Sequence, residues 1–251
     1  MLKEQVKNMM LVSGLYYPIT SFRNRTRDRQ QKEFYSHLIH SGDIVFDIGA
    51  NVGQRSEVFA SLAKKVVALE PQPFCLRHLK SRFLFTNKVF IEPYAVDSKE
   101  GTAVLHLSDS HTISSMSEKF IDTVKTSVFK NNNWDNKIEV KTTTLDLLIT
   151  KYGIPSFIKI DVEGFEINVL RGLSKPVKAI SFEFLPMATD EIKLCADHLY
   201  SVDPGYQFNY TLGEELYFIL PKAVGYSEFI ESVLPKIAGE KSFGDIYALL
   251  T

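Results

Sequence analysis

Short apolar runs bounded by turn residues alternate along this chain with stretches whose apolar positions recur at helical spacing. The first run, Asp43-Ile44-Val45-Phe46-Asp47-Ile48, is continuous rather than alternating, as a parallel strand covered on both faces should be. Val66 to Leu69, closed by Glu70-Pro71, reads as a second strand and Val89 to Tyr94 as a third. Helices are expected between them, over Gln54 to Ala63 and Phe74 to Phe85. The alternation resumes with a strand at Ile154 to Ile160, a helix at Glu166 to Arg171 stopped by Gly172, a strand at Ala179 to Phe184 and a helix at Asp190 to Leu199. Tyr206 to Tyr210 and Leu216 to Leu220 read as two last strands, joined by the glycine-containing loop Thr211 to Glu215. Such alternation predicts an α/β fold: a doubly wound, mostly parallel seven-stranded sheet with helices on both faces and a hairpin at its end.

Two regions fall outside this rhythm. Residues 27 to 40 read as a helix, with Phe34, Leu38 and Ile39 near one face and Ser41-Gly42 as the stop. Met1 to Tyr17 carries lysines and a short apolar run without a long apolar core or cleavage site, which reads as a surface helix rather than a signal peptide. Residues 1–40 are therefore expected to form a helical extension and 41–251 the main domain. Between the third and fourth strands, about 101 to 145, the pattern is irregular. Apolar runs at Ala103 to Leu107 and Ile138 to Thr142 flank a Ser-, Asn- and Asp-rich stretch suited to loops that line or cover a site.

Composition narrows the function classes. The 251 residues are 45% hydrophobic and 24% charged, with a formal net charge of −1. No global basic field draws such a chain to nucleic acid, so no nucleic-acid partner is expected. Arg23, Arg25, Arg27 and Arg29 are a local exception, read as a solvated face. Two isolated cysteines, Cys75 and Cys195, fit neither a disulfide scaffold nor a zinc site, and they suit a reducing compartment. No stretch approaches the ~20 apolar residues of a membrane span. A cytoplasmic protein is expected, and no feature sets an oligomeric state.

The chemistry concentrates at Asp47-Ile48-Gly49-Ala50-Asn51-Val52-Gly53, directly after a strand and before a helix. Glycine permits a tight turn and close backbone approach by a ligand, and the next helix presents free N–H groups. Glu70, at the end of the second strand, is placed to accept both hydroxyls of a ribose. A dinucleotide fingerprint would put glycine where Asn51 stands, so that a pyrophosphate can approach. Asp47 would repel that pyrophosphate, whereas it suits a ligand with a cationic amino group. S-adenosylmethionine fits better than NAD; an NAD-dependent oxidoreductase and a non-catalytic cofactor-binding module are the alternatives.

Asp43 to Gly53 with Ala68-Leu69-Glu70-Pro71 resembles the opening of class I, Rossmann-like methyltransferases. The run Phe157-Ile158-Lys159-Ile160-Asp161-Val162-Glu163-Gly164-Phe165-Glu166, followed by Val169-Leu170-Arg171-Gly172, resembles the signature of the FkbM family. Thr144-Leu145-Asp146 and Ile180-Ser181-Phe182-Glu183 add to it, and the likeness spans roughly residues 40 to 220. The resemblance implies an S-adenosylmethionine-dependent methyltransferase acting on hydroxyl groups of a sugar, glycan or small metabolite. It implies that Asp47, Gly49, Asn51 and Gly53 hold the methionine portion, that Glu70 binds the ribose and that Ala95 and Val96 lie near the adenine. Asp161 would face the sulfonium and the acceptor.

Methyl transfer from a sulfonium needs an aligned acceptor oxygen and a group to take its proton. Asp161 is the first candidate and Glu183 the second, both at strand ends where a doubly wound fold opens its site. His111, within the irregular stretch, is the third, because histidine titrates near neutral pH. Glu163 is read either as part of the site or as a cap on the helix containing Glu166. Lys159 shares a strand face with Asp161 and is placed to neutralise it. Oxygen ligands at Asp161 and Glu183 would suit a metal, but no spacing demands one and none is assigned. The late aromatic residues, with Tyr206, Phe208 and Tyr210 alternating, read mainly as core.

Overall fold

A computed structural model describes residues 25–109, 114–126 and 132–250, and the helix expected over Met1 to Tyr17 lies outside them. The first five strands of the main sheet arrive as the pattern predicts: β1 (Ile44–Ile48), β2 (Lys65–Leu69), β3 (Val89–Glu92), β7 (Phe157–Ile160) and β8 (Ala179–Phe184) are parallel neighbours in the order β3-β2-β1-β7-β8. Near-complete burial of β1, β2, β7 and β8 explains their continuous apolar runs.

Beyond β8 the sheet differs from the expectation and has eight strands rather than seven. The strand β11 (Gly244–Leu249) inserts between β8 and β9 (Gln207–Leu212), antiparallel to both, and the two-residue β10 (Val224–Gly225) pairs with β9 at the edge. The segment 216–220 is not a strand. It touches β9 through one backbone bond, Ile219 N–H to Tyr210 O at 2.9 Å, after which the Asn209 side chain substitutes for a ladder. Asn209 Oδ1 accepts from Leu220 N–H at 3.1 Å and Nδ2 donates to Leu220 O at 2.9 Å. Pro221, which has no N–H, follows at once.

Helices cover both faces. On one lie α1 (Arg25–Tyr35) and α2 (Gln54–Leu62), where Tyr35 meets Phe59 edge-on at 4.9 Å over Val45, Phe157 and Ala179. The helix expected to reach residue 40 ends at Tyr35 and continues as turns. On the other face α5 (Leu145–Tyr152), α6 (Glu166–Arg171) and α7 (Thr189–Val202) bury Phe46, Ile48, Ile158, Ile160, Ile180 and Phe182. Helix α3 (Pro73–Arg82) joins β2 to β3. The stretch expected to be irregular is largely ordered: β4 (Ala95–Val96), β5 (Gly101–Leu107) and β6 (Asn136–Thr143) form a second sheet, and α4 (Glu118–Thr126) precedes β6. Trp134 packs there with Phe120 and Ile121 of α4.

Candidate active site

Strand order reverses between β1 and β7, and the cavity lies outside their C-terminal ends. The two ends stay tied, because Asp161 N–H donates to Ile48 O at 2.9 Å. Gly49 then turns the chain with φ 82°, and both its N–H and that of Ala50 donate to Leu69 O. Asn51 adopts φ 50°, a left-handed conformation that asparagine tolerates better than most residues.

Residues expected from sequence meet around one cavity of about 640 Å³: Asp47, Gly49, Asn51, Glu70, Ala95, Val96, Asp161 and Glu183 all line it. Gly53 is not on this wall; with φ 82° it packs against Leu79 and Phe83 and shapes the start of α2. His111 lies outside the described residues. Leu105, Ser114, Met116 and Phe120, from the stretch expected to border the site, do line the cavity.

Glu70 is tightly engaged. Its Oε2 accepts from Asn51 N–H at 2.9 Å and its Oε1 from Gln72 N–H at 2.8 Å. Burial pushes its carboxyl up to about 7, although those two amides pull it back. Burial likewise lifts Asp47 to about 6 against the opposing hydrogen bond from Ser56.

A row of polar groups crosses the sheet on the α1/α2 face, set by register: Asp47 pairs with Lys159, Lys159 with Ser181 and Asp245 with Glu183. Lys159 is fully buried, and its Nζ donates to Asp245 Oδ1 at 2.8 Å and stands 3.7 Å from Asp161 Oδ2. Burial alone would lower this ammonium, but the Asp245 and Asp161 carboxylates outweigh it and hold it charged. Arg55, in the first turn of α2, donates through Nη1 to the same Asp161 oxygen. Burial would raise the Asp161 carboxyl; Lys159 and Arg55 overcome that and hold it below the usual aspartate range. Glu183 and Glu163 move the opposite way, raised well above the usual glutamate range by burial and by the Asp161 charge.

The carboxylates of Asp161, Glu163 and Glu183 gather within 4.8 Å of one another. Glu163 has φ 56° and takes no cap bond; instead Glu166 Oε1 accepts from Gly164 N–H at 3.1 Å, so the capping reading of Glu163 fails. Arg55 and Asp245 were not apparent as site residues. Arg55 follows a turn whose path is fixed only in three dimensions, and Asp245 belongs to the unforeseen β11. Both cysteines are free and buried, and among the described residues no helix is long and apolar enough to cross a membrane.

Among solved structures, a methyltransferase FkbM from Methylobacillus flagellatus KT is similar at 14% identity and a TM-score of 0.49, over 86% of this chain and 50% of that one. This chain thus spans half the length of that structure. A precorrin-6y C5,15-methyltransferase from Geobacter metallireducens GS-15 is similar at 12% identity and a TM-score of 0.45, over 87% of each chain. An rRNA methylase from Streptococcus thermophilus shows 14% identity and a TM-score of 0.41, over 88% of this chain and 94% of that one. A comparison with curated protein sequences finds no match. The family description "Methyltransferase FkbM domain" matches residues 47–227, well over half of the chain. The chain therefore belongs to the FkbM methyltransferase family, a membership that implies S-adenosylmethionine as methyl donor.

Proposed function

We propose that the chain methylates a hydroxyl oxygen of a sugar, glycan or related small hydroxylated metabolite. The observation that carries this reading is the convergence of Asp47, Glu70 and Asp161, from the ends of three different strands, on one cavity of about 640 Å³. That volume lies within the range of small-molecule sites, about 300–1,000 Å³. The residues present fit the cofactor. The Gly49 turn brings bare main chain to the cavity wall, and Glu70 brings a carboxylate to the end of β2.

Bound S-adenosylmethionine supplies an already activated methyl group. Asp47, Gly49 and Asn51 would hold its methionine portion, with Gly53 shaping the turn, while Glu70 would take the ribose and Ala95 and Val96 the adenine side. Asp161, ionised and clamped through Oδ2, would orient the acceptor hydroxyl by accepting its hydrogen bond. A clamped aspartate is a weak base. Glu183, the second candidate for final proton acceptor, can take the proton only while ionised, a form that burial and the Asp161 charge make costly. His111 stands between Asp109 and the cavity-lining Ser114 in sequence and is the other candidate for that task. Leu185, Pro186 and Met187 offer apolar surface beside these carboxylates for a sugar-sized ring.

The test is to incubate a cell extract with isotopically labelled S-adenosylmethionine, with and without the purified chain, and to identify labelled products by mass spectrometry. A labelled methyl ether of a small hydroxylated compound is the expected result. Label appearing only in nucleic acid or on nitrogen would refute it.

A further inference from the structure

We propose that Arg55 receives the α-carboxylate of the cofactor's amino-acid end, so that the site recognises a zwitterion and not merely an adenosine. This rests on the reading of the cavity as the cofactor site and adds a residue to it.

Arg55 sits in the first turn of α2, immediately after the Gly49–Gly53 turn, and lines the same cavity as Ile48 to Asn51. Its side chain is 30% exposed, so it is packed in place yet reachable. One nitrogen, Nη1, binds Asp161 Oδ2; among the described residues its other donors, Nε and Nη2, have no hydrogen-bond partner. A guanidinium offers five donors in a planar fork and can bridge two carboxylates at once. The protein supplies the first, and a ligand carboxylate completes the arrangement without breaking it.

The other cations on the cavity wall do not compete for this place. Arg27 is engaged by Glu214, and Lys241 is exposed near the start of β11. The charged groups that act most on Arg55, after its own burial, include the carboxylates of Asp161, Asp245 and Glu183, which hold it firmly protonated. Cation and anions therefore stand side by side, the complement of an α-carboxylate beside an α-ammonium. The N-terminus of the nine-residue α2 adds to the effect: no side chain caps it, and its free N–H groups favour an anion.

The experiment is calorimetry with two probes, S-adenosylhomocysteine and its decarboxylated analogue, which keeps the amine and lacks the carboxylate. Loss of one charge-assisted bond predicts that Arg55→Gln weakens S-adenosylhomocysteine binding by about tenfold to a hundredfold. The decarboxylated analogue should bind the variant and the unaltered chain equally. Arg55→Lys preserves the charge beside Asp161 and should fall between, which separates loss of carboxylate recognition from damage to the site. If Arg55→Gln binds both probes as the unaltered chain does, or loses both in equal measure, the assignment is wrong. If the unaltered chain binds neither probe, the cofactor-site reading itself fails and takes this one with it.

Discussion

A Cβ placed on Gly49 would lie 1.8 Å from the backbone carbonyl oxygen of Asp161. The two residues cap neighbouring strands, and their main chains meet so closely that the turn after β1 is built against the exit of β7. With φ at 82°, Gly49 is confined twice, by conformation and by space. Gly49→Ala should destabilise the fold by at least about 3 kcal/mol, since backbone rather than a flexible side chain must yield. Urea denaturation measures this, and a loss under about 1 kcal/mol would contradict the packing.

Lys159 carries the next expectation. Its ammonium serves both Asp161 and Asp245 from a fully buried position. Lys159→Met leaves the Asp245 carboxylate without its counter-charge and Asp161 with Arg55 alone, and breaking a buried pair in this way costs about 3–5 kcal/mol. Adding Asp245→Asn should recover part of that loss, because the stranded charge is removed. A double variant no more stable than Lys159→Met would show that the pair is not coupled.

Much of this was legible in the chain. The strands β1, β2, β7 and β8 announce themselves because both faces of each are buried, and the Asp47–Gly53 turn because a left-handed backbone selects glycine and asparagine. Position along a strand was enough to bring Glu70, Asp161 and Glu183 to one edge. What stayed hidden depends on pairing across the sheet. In Gly244–Leu249 a glycine and Asp245 mask the strand pattern, and Asp245 is tolerable there only because Lys159, 86 positions earlier, neutralises it. The segment 216–220 has the composition of a strand, yet it makes little ladder because Asn209 takes its backbone groups. No local pattern contains either fact.

Asp161→Asn tests a subtler balance. The substitution is nearly isosteric, but it removes the charge that Arg55 and Lys159 both face. Stability should fall by about 1–3 kcal/mol, the cost of weakening a charged hydrogen-bonded pair. Methyl transfer to a verified acceptor should fall further than binding of S-adenosylhomocysteine does. Full activity in the Asn variant would remove Asp161 from its proposed role.

The raised carboxyls of Asp47 and Glu70 make ligand-free stability depend on pH. Their folded-state values, about 6 and about 7, exceed their ordinary values of 3.8 and 4.5. Between those limits the folded chain binds more protons than the unfolded one, so stability from these groups decreases as pH rises and is fully lost above about 7. Thermal melts across this range should show the decline, and Glu70→Gln, which cannot ionise, should flatten it. An unchanged slope in that variant would mean that Glu70 titrates normally in the fold.

Cofactor affinity should respond in the opposite sense. A ribose diol donates hydrogen bonds, and the ionised Glu70 carboxylate accepts them better than the protonated acid does. As pH falls through about 7, Glu70 takes up its proton, so S-adenosylhomocysteine should bind progressively more weakly, by at most about tenfold per pH unit. Above that point the affinity should level off. Alanine is a poor test here, because it would also leave the N–H groups of Asn51 and Gln72 without their acceptor and loosen the turn. Glu70→Gln keeps one acceptor oxygen and lacks the charge. It should bind about tenfold more weakly at high pH, the equivalent of one charged hydrogen bond, and show little pH dependence of its own. Calorimetry on both proteins over the same pH series decides the matter: parallel curves of equal affinity would mean that Glu70 supports the Asn51 turn and does not touch the ribose.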